Sequence, residues 1–318
     1  MTMTHEIKEL AFSNSLDYVG IAAADSLENE PEGSRPSDFL PDAQTVISLG
    51  VRLSLGVQFA NRLAHSRRDL RHAIYSYLWH GFGLPSLHYL DRTAILIIRF
   101  LEKQGYIAVP AMAASSFDIR SSLTEFSNIH AAVAAGLGDL GWGELVLTPD
   151  AGPRARFTSI ITNAPLDVDA VPTKSNLCEP DKCKELGKGL PVCASVCPTH
   201  AIGPSEQETR IGDKIFRTAK IDRWRCMWGS MGLSKDSLGL KDIPMPDTVG
   251  PEEVFNGMKE RDPAQSLELM VISRGDYCGK CIMECPVASS SKVNELLLKA
   301  KRKSRGKECG QKIGHGKK

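Results

Sequence analysis

No cysteine precedes Cys178 in this 318-residue chain, and aromatic residues make up only 6% of it. Net charge is nearly absent, with 39 Lys and Arg against 38 Asp and Glu. Long apolar runs are missing too. The longest, around Ala94 to Leu101, is cut by Arg99 and falls well short of the roughly 20 residues that cross a bilayer. The opening MTMTHEIKEL lacks the apolar core of a secretory signal. Together these absences argue against membrane insertion and export, and the expected location is the cytoplasm. What is present, 42% hydrophobic residues over this length, suits one large or two ordinary globular domains and argues against disorder.

The nine cysteines all lie in the back half: Cys178, Cys183, Cys193, Cys197, Cys226, Cys278, Cys281, Cys285 and Cys309. In a reducing compartment clustered cysteines are metal ligands or redox groups more often than disulfides. Composition thus divides the chain into a front domain (1–170), a cysteine-bearing domain (171–290) and a helix with a basic tail (291–318).

The expected fold class is α+β, with an α/β front. His5 to Ser15 reads as a short amphipathic helix, Tyr18 to Ala23 and Thr45 to Val51 as strands, and ENEPEGSRPSDFLPD between them as a loop. Two helical stretches from Asp69 to Gly105 are expected to flank a break at Gly81 to Pro85. Ile107 to Met112, Leu145 to Thr148 and Ala155 to Thr162 read as strands, and Glu125 to Ala135 as a helix. Residues 171–290 show no sustained periodicity, so a metal centre is expected to supply folding free energy there. A helix over Ser291 to Ala300 leads into a tail with nine basic residues and one acid from Lys299 onward, expected to be disordered.

Two segments share C-x3-C-P: Cys193 to Pro198 and Cys281 to Pro286. In bacterial ferredoxins such a run gives three thiolates to one [4Fe-4S] cluster, and the fourth, before the proline, to the other. Applied here, Cys178, Cys183, Cys193 and Cys285 form one ligand set, and Cys197, Cys226, Cys278 and Cys281 the other. Structural zinc also takes four thiolates, but it has no need of a doubled C-x3-C-P. Cys309 is left over as a free thiol.

Gly136, Gly138 and Gly141 fit G-x-G-x-x-G, but a helix precedes them and a strand follows. That is the reverse of a dinucleotide fingerprint. They read as a turn where backbone approaches a large ligand, with a tight helix-to-strand turn as the compatible plain reading. Arg154 and Arg156 alternate, which would place both on one strand face suited to an anionic or amide-rich ligand, with plain surface arginines as the other reading. His130 reads as a packed helical histidine or, alternatively, a metal ligand or proton donor. Trp224 and Trp228 flank Cys226 and are expected to shield a cluster.

The segments HAAVAAGLGDLGWGELVLTPDAGPRARFTSIITNAPL, CPTHAI, DRWRCMWGSMG and YCGKCIMECP together resemble the cobalamin-dependent iron–sulfur reductases, a group comprising epoxyqueuosine reductases and reductive dehalogenases. The resemblance implies a nitroreductase-like front domain that binds cobalamin or another corrinoid, and a ferredoxin-like back domain with two [4Fe-4S] clusters. It implies an oxidoreductase that cleaves a carbon–oxygen or carbon–halogen bond of a small-molecule or modified-nucleoside substrate. Reduced ferredoxin or flavodoxin would be the electron donor. By position Gly136, Gly138, Gly141, Trp142 and Arg156 would contact the corrinoid. The sequence departs from the epoxyqueuosine reductases at VPAMAASSFD, where their V-D-S-A-P aspartate has no counterpart, and it lacks their helical-repeat extension. Arg67-Arg68 lies too deep for the export signal of the dehalogenases. Candidate acids are Tyr75, Tyr77, Asp118 and His130. The alternative is an electron-transfer or activator protein that uses the two clusters without its own corrinoid. A further reading gives the basic tail a contact with RNA.

Overall fold

The computed structural model describes residues 2–113, 117–118, 123–171, 176–263, 278–300 and 302. Cys309 and the tail beyond residue 302 lie outside the described residues. Among the described residues no helix is long and apolar enough to cross a membrane.

The front of the chain is built on β1 (Tyr18–Ala23), β2 (Thr45–Arg52), β3 (Ala108–Ala111), the two-residue strands β4 (Phe117–Asp118), β5 (Leu123–Thr124), β6 (Asp139–Leu140) and β7 (Val146–Leu147), and β8 (Ala155–Thr162). Its main sheet runs β1-β2-β8-β3 with every neighbour antiparallel. The class is therefore α+β, and the alternation of helices and strands does not make a parallel sheet here. β2 is buried from Thr45 through Gly50 because helices cover both faces. On one face Val46, Phe157 and Ile161 pack with the alanine-rich helix Asn128–Ala134. On the other, Ile21, Ile47, Leu49 and Ile160 meet the helices Met3–Ser13 and Asp91–Lys103 through Ile7, Ala94 and Ile97. The spacing of Ala94, Ile97 and Leu101 gives that second helix its buried stripe.

Three local expectations are corrected. The loop before β2 contains a helical turn, Pro36–Phe39, because the Asp38 carboxylate accepts from the N–H groups of Gly33 (2.8 Å) and Arg35 (3.0 Å). The chain does not break at Gly81 to Pro85. A wide π-helical segment, Ile74–Leu90, runs through Pro85 and continues directly into Asp91–Lys103. The cysteine-bearing part is also less irregular than its composition suggests. It carries a long hairpin of β9 (Ile202–Ile211) and β10 (Lys214–Ile221), closed by Gly212 and Asp213, with Lys214 paired to Ile211. Gly-Asp between two runs is a hairpin signal, but most outward positions here are charged or polar, so apolar alternation is faint.

The hairpin ties the two parts together. Ile211 enters the core beside Val46 and Ile161, and the Gly212 N–H donates to the Ser26 carbonyl at 3.1 Å. The helix over residues 291–300 returns to the front, where Arg62 donates to Asn294 (2.6 Å) and forms a two-bond pair with Glu284 (3.0 and 2.9 Å).

Candidate iron–sulfur site and adjoining cavity

The cysteines are positioned by short elements. Helix Pro180–Leu186 carries Cys183, the turn Val192–Ser195 carries Cys193, and Lys280–Glu284 carries Cys281. Cys178 and Cys285 stand just outside such elements. Short helices joined by Gly and Pro leave backbone N–H groups unpaired, and these turn to sulfur. The Trp142 N–H donates to Cys178 Sγ, the Val192 N–H to Cys183 Sγ and the Ala201 N–H to Cys197 Sγ, each at 3.3 Å. Backbone donors also face Cys193 and Cys285, from Ala194 and Val287.

Cys178, Cys183, Cys193 and Cys285 line one cavity of about 280 Å³, whose other walls include Trp142, Leu145, Pro153 and Cys281. Burial pushes the Cys193 thiol up to about 12, with Cys285, Cys178 and Cys183 adding to it, and the Cys285 thiol up to about 11 against the opposing pull of the Val287 N–H and Arg154. Cys281 is raised by burial and next by Cys278, Cys226 and Cys197. Five thiols therefore face the cavity, those of Cys178, Cys183, Cys193, Cys281 and Cys285, and Cys197, Cys226 and Cys278 are not among its walls. Among the described residues no three His, Cys, Asp or Glu side chains stand close enough to hold one metal ion. Thiols grouped about a void, with backbone donors aimed at sulfur, are compatible with the ligand set of an iron–sulfur cube.

The tryptophans beside Cys226 do something other than shield it. On the helix Arg223–Ser230, Trp224 and Trp228 are four apart and share a face, whereas Cys226 lies on the opposite one. Trp228 is buried with Leu233, Val254 and Gly257 in a separate small core, and Cys226 is exposed.

A second cavity, about 200 Å³, lies beyond the wall formed by Leu145 and Pro153, which line both spaces. Phe82, Ser86, Asn128, Arg156, Phe157 and Ile282 are among its walls. The Arg156 guanidinium is held from behind. Its Nε donates to the Gly81 carbonyl at 3.1 Å, Nη2 donates to Tyr77 Oη at 2.7 Å, and its charge lies over the Phe82 ring at 4.9 Å. Ser86 Oγ and Asn128 Oδ1 are buried without hydrogen-bond partners.

Arg154 and Arg156 part company because β8 begins at Ala155, so strand alternation does not govern Arg154. Its side chain is buried against residues 283–287. His130 Nδ1 pairs with Glu30 at 2.7 Å and fixes its helix to the loop before β2. Tyr77 is buried, Tyr75 is exposed, and the Asp118 side chain lies outside those described.

The glycine turn is filled by protein. A side chain on Gly138 would overlap the Leu147 carbonyl, one on Gly141 would come within 2.9 Å of the Leu147 side chain, and Gly136 has φ +74°. Trp142 is buried against the cysteine cavity. The described walls of the Arg156 cavity enclose less space than a corrinoid takes. Drug-sized ligands already need about 300–1,000 Å³, a corrinoid needs more, and the described walls enclose about 200 Å³.

No family model matches the chain, and no curated protein does. Solved structures similar to it include an epoxyqueuosine reductase from Bacillus subtilis, with 19% identity and TM-score 0.49 over 89% of this chain and 64% of that one. One from Streptococcus thermophilus has 16% identity and TM-score 0.48 over 91% and 66%. A catabolic reductive dehalogenase in complex with 3-bromo-4-hydroxybenzoic acid has 17% identity and TM-score 0.49 over 87% and 34%. The chain spans less than two thirds of the length of each.

Proposed function

We propose that this protein is an iron–sulfur oxidoreductase with two [4Fe-4S] clusters. Cys178, Cys183, Cys193 and Cys285 hold one, and Cys197, Cys226, Cys278 and Cys281 hold the other. The observation that carries the reading is the group of thiols facing one cavity, Cys178, Cys183, Cys193 and Cys285 with Cys281 beside them, aimed at by the N–H groups of Trp142, Val192, Ala194 and Val287. Such donors stabilise thiolate and the added charge of a reduced cluster. When bound, each cluster passes one electron at a time. The protein supplies the path: exposed Cys226 sets the second cluster towards the surface and a donor such as ferredoxin or flavodoxin, and the first adjoins the Arg156 cavity across one layer, Leu145 and Pro153.

The electron acceptor is a small molecule in that cavity. Its described walls hold one cation and no carboxylate, together with Phe82, Phe126 and Phe157. They suit a compact, electron-poor or anionic aromatic compound, which Arg156 orients and whose reduced, more negative form it stabilises. No step is routed through a corrinoid.

Anaerobic purification with metal analysis and electron paramagnetic resonance tests this. About eight irons per chain are expected from two cubanes, with reducible [4Fe-4S] signals. Zinc in place of iron would overturn the proposal. One cobalt per chain after reconstitution with cobalamin would overturn the small-acceptor half and restore the corrinoid.

A further inference from the structure

Arg154 is among the largest fully buried side chains, at 2% exposure. Its guanidinium donates to backbone carbonyls: Nη1 to Ala151 (3.2 Å) and Val287 (2.9 Å), Nη2 to Met283 (3.2 Å) and Cys285. Among the described residues no carboxylate forms an ion pair with it. Glu284 is nearby but is engaged by both nitrogens of Arg62. A buried cation surrounded by carbonyls is stable only if a negative group lies close, because the interior screens it poorly. Cys285 would supply that group: Arg154 Nη2 sits on its carbonyl, next to the sulfur that becomes a thiolate when a cluster is bound.

The surrounding backbone is shaped for this contact. Gly152 has φ +58°, and any side chain there would overlap the Val287 carbonyl. Residues 151–154 therefore clasp the Cys285-Pro286-Val287 turn from the front of the molecule, with Arg154 as the fork of the clasp.

We propose that Arg154 is the fixed counter-charge of the cluster held by Cys178, Cys183, Cys193 and Cys285, positioning Cys285 and raising that cluster's reduction potential. Each reduction adds one negative charge to a cube already ringed by thiolates. A cation fixed in a dry setting lowers the free energy of the reduced form more than that of the oxidised form. The inference rests on those four cysteines holding a cluster, and it says why the front of the chain contributes an arginine to a turn more than 130 residues later.

The test compares anaerobic wild-type protein with R154Q, which keeps an amide donor but loses the charge, and R154K, which keeps the charge but loses the fork. Iron is counted, and each cluster's resonance signal is followed through a redox titration with dithionite. R154Q is expected to shift one cluster to lower potential and leave the other at its wild-type value, and R154K to stay close to wild type in both. R154Q failing to retain that cluster while R154K holds it at wild-type potential supports the same conclusion. Wild-type potentials in both variants, or an equal shift of both clusters, would overturn the inference while leaving the two-cluster reading intact. An iron-free wild type would overturn both.

Discussion

The ring of Tyr77 lies directly against the α-carbon of Gly279, the residue between Cys278 and the helix that carries Cys281. Gly279 has φ +53°, and any side chain there would overlap the ring. Tyr77 also accepts from Arg156, so one buried phenol spans from the small cavity to the turn between Cys278 and Cys281.

This contact makes Gly279→Ala costly in two ways. A left-handed alanine is strained by roughly 1–2 kcal/mol, and overpacking against a fixed ring adds about 1–3 kcal/mol. The variant is expected to lose the cluster of Cys197, Cys226, Cys278 and Cys281, with iron falling from about eight to about four per chain. Tyr77→Phe keeps the ring and should retain all the iron. Equal iron in G279A and wild type would show that the turn tolerates the displacement.

The exchange of fourth ligands has its own signature. Cys285→Ser should remove the cluster built on Cys178, Cys183 and Cys193, and Cys197→Ser the one built on Cys226, Cys278 and Cys281. The resonance signals lost in the two variants should be complementary. If each substitution instead damaged the cluster of its own C-x3-C-P segment, the pairing would be wrong.

His130 and Glu30 form a half-buried pair away from both cavities. His130→Gln is expected to lower stability by about 1–3 kcal/mol, the cost of leaving a buried acceptor unsatisfied, while iron content and both potentials stay at wild-type values. Urea unfolding together with iron analysis measures both. Loss of a cluster in this variant would return His130 to the list of ligands.

Iron removal by chelation under oxidising conditions should unfold the protein unevenly. On the two-cluster reading the cysteine-bearing part draws folding free energy from metal binding, whereas β1, β2 and β8 are sealed by helices on both faces. Hydrogen exchange is expected to accelerate by orders of magnitude in residues 178–200 and 278–290, with Val46 to Leu49 and Ile160 to Ile161 still protected. Uniform loss of protection would mean that the front cannot stand without the clusters.

Much of the fold was legible in advance because the signals were local. Tyr18–Ala23 and Ala155–Thr162 are strands with the expected bounds, since β-branched and apolar runs of that length state their own preference. The charged faces of β9 and β10 hid the hairpin, and the Pro85 helix ran on because tertiary packing overrides a local breaker.

The two C-x3-C-P segments, read against the ferredoxin pattern, suggested two sets among eight thiols. Spacing could not say what surrounds them. The donors to sulfur are backbone N–H groups of Trp142, Val192, Ala194, Ala201 and Val287, which carry no residue-type signature. The separation of Arg154 from Arg156 was likewise decided by where β8 begins and by what packs against it. Through-space partners more than a hundred residues apart are chosen by the closing of the whole chain, and only the tertiary structure placed a buried cation against Cys285 and a second one in a small cavity next door.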